Sequence, residues 1–66
     1  NAHRVMPPRL IACDEPSSEV LDHLTAERPV RIDGTFVHRY RDADGRVRFE
    51  RVTSGWGLSR WFAVEE

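Results

Sequence analysis

Sixty-six residues allow one domain with a thin core. A chain of this size buries only about 60% of the surface it exposes when unfolded, and such a core supplies roughly 3–5 kcal/mol on its own. Ten basic and eleven acidic residues nearly cancel, which argues against a protein that holds nucleic acid by overall charge but leaves room for a local patch. The single cysteine, Cys13, excludes an intrachain disulfide, and three scattered histidines offer no metal cage, so neither of the usual staples is available.

Every basic residue is arginine. Its planar fork suits carboxylate and phosphate better than an ammonium does. No apolar run approaches the roughly 20 residues of a membrane span, and no signal peptide pattern is present. With an unpaired thiol, these features predict a cytoplasmic protein without membrane association or cofactor. The start at Asn1, without a methionine, and the stop directly after an apolar run read as a piece of a longer protein.

Residues 1–16 read as an extended arm ahead of one small domain over residues 17–66. Pro7, Pro8 and Pro16 push the residues before them out of helical geometry. Between them, Arg9-Leu10-Ile11-Ala12-Cys13 is a short extended segment, an edge strand if it pairs. Residues 17–27 predict the one helix, with a serine cap, acidic residues in the first turn, and Val20, Leu21 and Leu24 on one stripe. Pro29 limits it. A helix of two to three turns is too short to stand alone and must lean on a sheet.

From Pro29 the period changes to two. Val30-Arg31-Ile32 predicts a short strand, and Asp33-Gly34 a type I′ turn into Thr35. Two alternating runs follow, residues 36–41 and 46–52, around the turn Asp42-Ala43-Asp44-Gly45. Residues 53–57 form a turn cluster, and residues 60–64 predict a fourth strand.

Loop length sets how the hairpin sorts its side chains. A four-residue loop, 42–45, pairs Arg39 with Arg48 and His38 with Phe49. One face then carries Phe36, His38, Tyr40, Val47 and Phe49; the other carries Arg39, Arg41, Arg46 and Arg48 with Val37 and Glu50. A three-residue loop, 43–45, slips one strand and mixes the faces, so the four-residue register is expected. It places arginines opposite one another, at a cost of a few tenths of a kcal/mol per pair. Nearby acids or an external anion must offset them.

The expected fold is α+β, one short helix packed on a three- to four-stranded antiparallel meander. The alternative is an SH3-like small barrel, since the Asp33-Gly34 turn sets Val30 beside Val37 on the arginine face and so draws on both faces. No catalytic set is visible. His3, His23 and His38 lack partners at useful spacing, and Asp14 and Glu15 beside Cys13 raise a thiol pKa, the wrong direction for a nucleophile. Arg39, Arg41, Arg46 and Arg48 are the candidate anion or partner surface. Trp56, Trp61 and Phe62 are the candidate protein interface, because a strand apolar on both sides needs a partner. These features predict a non-catalytic interaction or oligomerisation domain with a protein partner or a second copy. A nucleic-acid or polyanion module using the arginine face is the alternative, since arginines among aromatics also make stacking surfaces.

Overall fold

The computed structural model describes residues 9–65. The strands are β1 (Arg9–Cys13), β2 (Thr25–Ala26), β3 (Val30–Ile32), β4 (Thr35–Arg41), β5 (Val47–Thr53) and β6 (Ser59–Glu65), with one helix, α1 (Ser18–Asp22). They form one antiparallel sheet in the order β1-β6-β5-β4-β2, and β3 shares the outer edge of β4 with β2. The fold is therefore mostly antiparallel β with a single short helix. The sheet is open, with β1 at one edge and β2 and β3 at the other, so it does not close as an SH3-like barrel would.

Two expectations about α1 are corrected. It spans five residues instead of the eleven of 17–27, and none of them is buried, so it does not act as a cover packed over a sheet face. The Ser17 cap is present: its side chain accepts the Val20 N–H at 3.3 Å. The helix stops because the next backbone groups find partners elsewhere. Thr25 and Ala26 pair with Arg41 and Tyr40, and the Glu27 N–H donates to the Arg39 carbonyl at 2.8 Å. A β-branched threonine and a helix without a buried face offer little to hold a third turn against those bonds. At the other end of the sequence order, the late part of the expected arm belongs to the sheet, where β1 pairs with β6 from Arg9↔Glu65 to Cys13↔Trp61.

The turns explain the register. Asp33 and Gly34 have φ of 49° and 80°, the type I′ geometry expected, and they set Ile32 opposite Thr35 and Val30 opposite Val37. The β4–β5 turn corrects the four-residue loop. Asp42 N–H donates to the Arg46 carbonyl at 2.9 Å and Gly45 N–H to the Asp42 carbonyl at 3.0 Å, which encloses the three residues 43–45 with Gly45 at φ 81°. The Asp42 carboxylate accepts the Asp44 and Arg46 N–H groups. The β5–β6 turn repeats this design: Ser54 N–H donates to the Leu58 carbonyl, Gly57 N–H to the Ser54 carbonyl, and the Ser54 hydroxyl accepts from Trp56 and Leu58.

A three-residue loop alone would mix the faces of the hairpin, yet they stay sorted. The reason is a β-bulge. Arg41 pairs with Val47 but Tyr40 pairs with Phe49, so Arg48 is an extra residue that restores the alternation. The net result is a slip of two residues from the expected pairing. Arg39 faces Glu50 instead of Arg48, and His38 faces Arg51 instead of Phe49. The slip replaces a repulsive cross-strand pair by an ion pair and lets Tyr40 meet Phe49.

Cross-strand partners share a face, which defines two surfaces. The tryptophan face carries Phe36, His38, Tyr40, Phe49, Arg51, Thr53, Ser59, Trp61, Ala63, Ile11 and Cys13. The valine face carries Leu10, Val64, Phe62, Val52, Val37, Val30 and Ile32, with Arg39, Glu50 and Arg60 among them. Among the described residues only Trp61 and Val37 are buried apolar side chains, each 8% exposed and one on each face. The core is two half-cores back to back.

Candidate functional site

The four candidate arginines do not form one patch. Arg39 Nε donates to Glu50 Oε2 at 3.2 Å in a part-buried ion pair. Arg41 pairs with Glu27, whose position follows from the β2 pairing, and also donates to the Gly45 carbonyl at 2.6 Å. Arg46 closes the turn, its N–H donating to Asp42 Oδ1 at 3.0 Å. Arg48 is the bulged residue and is exposed. The expected arginine face is thus a largely apolar face of the sheet. Leu10 lies at one edge and Val30 and Ile32 at the other, all three substantially exposed.

The three candidate aromatics fall in three environments. Trp61 is buried on its own face, its ring 5.3 Å from that of Tyr40 and tilted by 39°. Phe62 points to the valine face with the Arg60 guanidinium 5.7 Å from its ring centroid. Trp56 sits at the tip of the β5–β6 turn, 92% exposed, and Leu58 closes that turn at 72%. The turn presents both on a rigid support.

Across β4, β5 and β6 the structure brings together residues that local sequence reading separates. His38, Arg51 and Trp61 share one row, and Phe36, Thr53 and Ser59 the next. Arg51 Nη2 lies 3.0 Å from His38 Nδ1, and its guanidinium is 5.7 Å from the Trp61 centroid. An arginine N–H can only donate, so His38 Nδ1 accepts and the ring proton sits on Nε2. Thr53 Oγ1 and Ser59 Oγ are 2.9 Å apart. Pro29, Phe36, His38, Arg51, Thr53 and Ser59 line a hollow of about 350 Å³. Arg51, Thr53 and Ser59 were invisible as a group because the expected register set Arg51 opposite Phe36. The signal that finds them is the Arg39–Glu50 charge match.

A second hollow, of about 430 Å³, lies beside the first and is lined by Ala12, Cys13, Asp14, Glu15, Ser59, Arg60 and Trp61. There burial first, and the Asp14 carboxylate second, push the Cys13 thiol above its ordinary value. That keeps it protonated and a poor nucleophile at neutral pH. His23 caps the end of α1, and His3 lies outside the described residues. Among the described residues no group of three or more His, Cys, Asp or Glu side chains could hold a metal ion, and no helix is long and apolar enough to cross a membrane.

No family model, curated protein or solved structure matches the chain.

Proposed function

We propose that the chain is a non-catalytic interaction domain whose valine face packs against a second protein layer, a further copy of the same sheet being the first partner to test. The observation that carries this reading is the single-layer sheet. A β-sheet normally buries one face against another element. Here the helix covers neither face with a buried residue, and Leu10, Val30 and Ile32 flank Val37, Val52, Val64 and Phe62 across the whole width of the sheet. This apolar surface is crossed on its central strands by the Arg39–Glu50 pair, which neutralises itself and so adds no net charge for a partner layer to meet. Trp56 and Leu58, at the projecting turn, supply an aromatic anchor of the type that dominates interface energetics.

The polyanion reading is weaker on this geometry. Two of its four arginines are neutralised by Glu50 and Glu27, so they have less to offer a phosphate backbone.

Sedimentation velocity over a wide concentration range tests the proposal. The expected result is a species of twice the monomer mass at high concentration, dissociated by Ile32→Asp, an exposed position where a charge costs the monomer little. A monomer at every concentration, with the same stability throughout, overturns self-association. Tight, salt-sensitive binding of a short RNA or DNA by that monomer would favour the polyanion reading instead.

A further inference from the structure

We propose that the hollow between Pro29, Phe36, His38, Arg51, Thr53 and Ser59 is a binding site for a phosphate or carboxylate group carried on a small apolar body. The inference starts from Arg51. It is half-buried in the sheet, and its Nε is buried without a hydrogen-bond partner. The other guanidinium contacts are a histidine lone pair and a tryptophan ring, both uncharged. Arg9, Arg39 and Arg41 each pair with a carboxylate, whereas Arg51 meets none among the described residues. The Nε itself is shut off from solvent, so an anion in the hollow acts on the guanidinium charge as a whole, which out of water is stabilised chiefly by an opposite charge.

The surroundings complete a recognition set. In the Thr53–Ser59 pair one hydroxyl donates to the other, which leaves one O–H proton for a further acceptor. Arg31 stands opposite Phe36 across β3 and β4, on the same face, and brings a second cation to the rim. His38 Nε2–H is a further donor. Phe36 and Pro29 form an apolar wall, and the volume of about 350 Å³ exceeds by roughly tenfold the 30 Å³ share of one water, more than a bare oxyanion needs. Donors at one end and an apolar wall at the other select a ligand with an anionic head and a hydrophobic body. Asp14 and Glu15 lie outside this lining, in the adjoining hollow that shares Ser59 with it. The site lies on the tryptophan face, so it is independent of association through the valine face.

Titration with phenyl phosphate, benzoate and inorganic phosphate, followed by the Arg51 Nε–H and Trp61 indole resonances in ¹H–¹⁵N spectra, tests it. Saturable shifts of both signals are expected with phenyl phosphate or benzoate, and weaker ones with inorganic phosphate. The tighter of the two aromatic probes identifies phosphate or carboxylate as the recognised head. Arg51→Gln should weaken binding about tenfold or more, the loss of one charge-assisted hydrogen bond. Ser59→Ala, at an exposed position, should weaken it several-fold with the fold intact, whereas Arg48→Gln at the exposed bulge should leave it unchanged. Linear, unsaturated shifts with every probe, or equal effects of Arg48→Gln and Ser59→Ala, would overturn the proposal.

Discussion

The two faces of this sheet are built alike and end differently. Each has one buried residue at its centre, Trp61 on one and Val37 on the other, and each surrounds it with half-exposed apolar side chains. On the tryptophan face polar neighbours are linked, His38 to Arg51 and Thr53 to Ser59, around a hollow, while Ile11 and Phe36 stay exposed at its margins. On the valine face the charged residues Arg39 and Glu50 pair with each other and leave the aliphatic band uncovered. The difference teaches that alternation along a strand sorts side chains without deciding which side becomes the interior. Where no second layer is supplied, side-chain chemistry settles it face by face.

Truncating the two centres is the strongest way to separate the faces. Trp61→Ala removes the ring that meets both Tyr40 and Arg51, and a loss of about 3–5 kcal/mol is expected. That equals the whole stability of roughly 3–5 kcal/mol which a core this small supplies, so urea titration should show the isolated variant unfolded. Val37→Ala removes two methyl groups and should cost about 1.5 kcal/mol, leaving a folded protein with a lower midpoint. Equal losses would mean that the faces contribute alike.

The turns come next in size. Gly45 and Gly57 have φ of 81° and 84°, and a Cβ at either position meets nothing within 4 Å. Alanine there should cost about 1–2 kcal/mol from backbone strain alone, and by the same amount at both, since both close the same three-residue loop. A much larger loss at Gly57 would show that the Trp56 turn is tied to something beyond its own backbone.

How legible all this is in the sequence follows from the range of the forces. The Asp33-Gly34 turn and the bodies of β3 to β6 rest on neighbouring residues, and their pattern can be read directly. The bulge at Arg48 has no local mark; it exists because a three-residue loop and a sorted hairpin are both satisfied only with one extra residue. The pairing of β1 with β6 joins the two ends of the described chain, and residues 9–13 alone do not specify it. The end of α1 is set by the free edge of β4, which takes Thr25 and Ala26. The hollow inherits this: His38 meets Arg51 only in the slipped register.

Smaller effects sharpen the same contrast. A double-mutant cycle on Arg39 and Glu50 should give a coupling of about 0.5–1 kcal/mol, because the pair is only partly shielded from water. Cys13 should react with iodoacetamide at neutral pH more slowly than an unstructured cysteine, and catch up as the pH rises, because its thiol is held above the ordinary value. Rapid alkylation at neutral pH would show that the hollow around Cys13 is not shielding it.

The claim that an uncovered valine face calls for a second layer is tested most directly by the concentration dependence of thermal unfolding. If two copies complete one another, raising the protein from about 5 µM to about 500 µM adds roughly 2.7 kcal/mol per dimer, and the midpoint should climb by about 5–10 °C. Ile32→Asp should abolish that climb. A midpoint that stays constant across the same range, with a monomeric mass throughout, would contradict it.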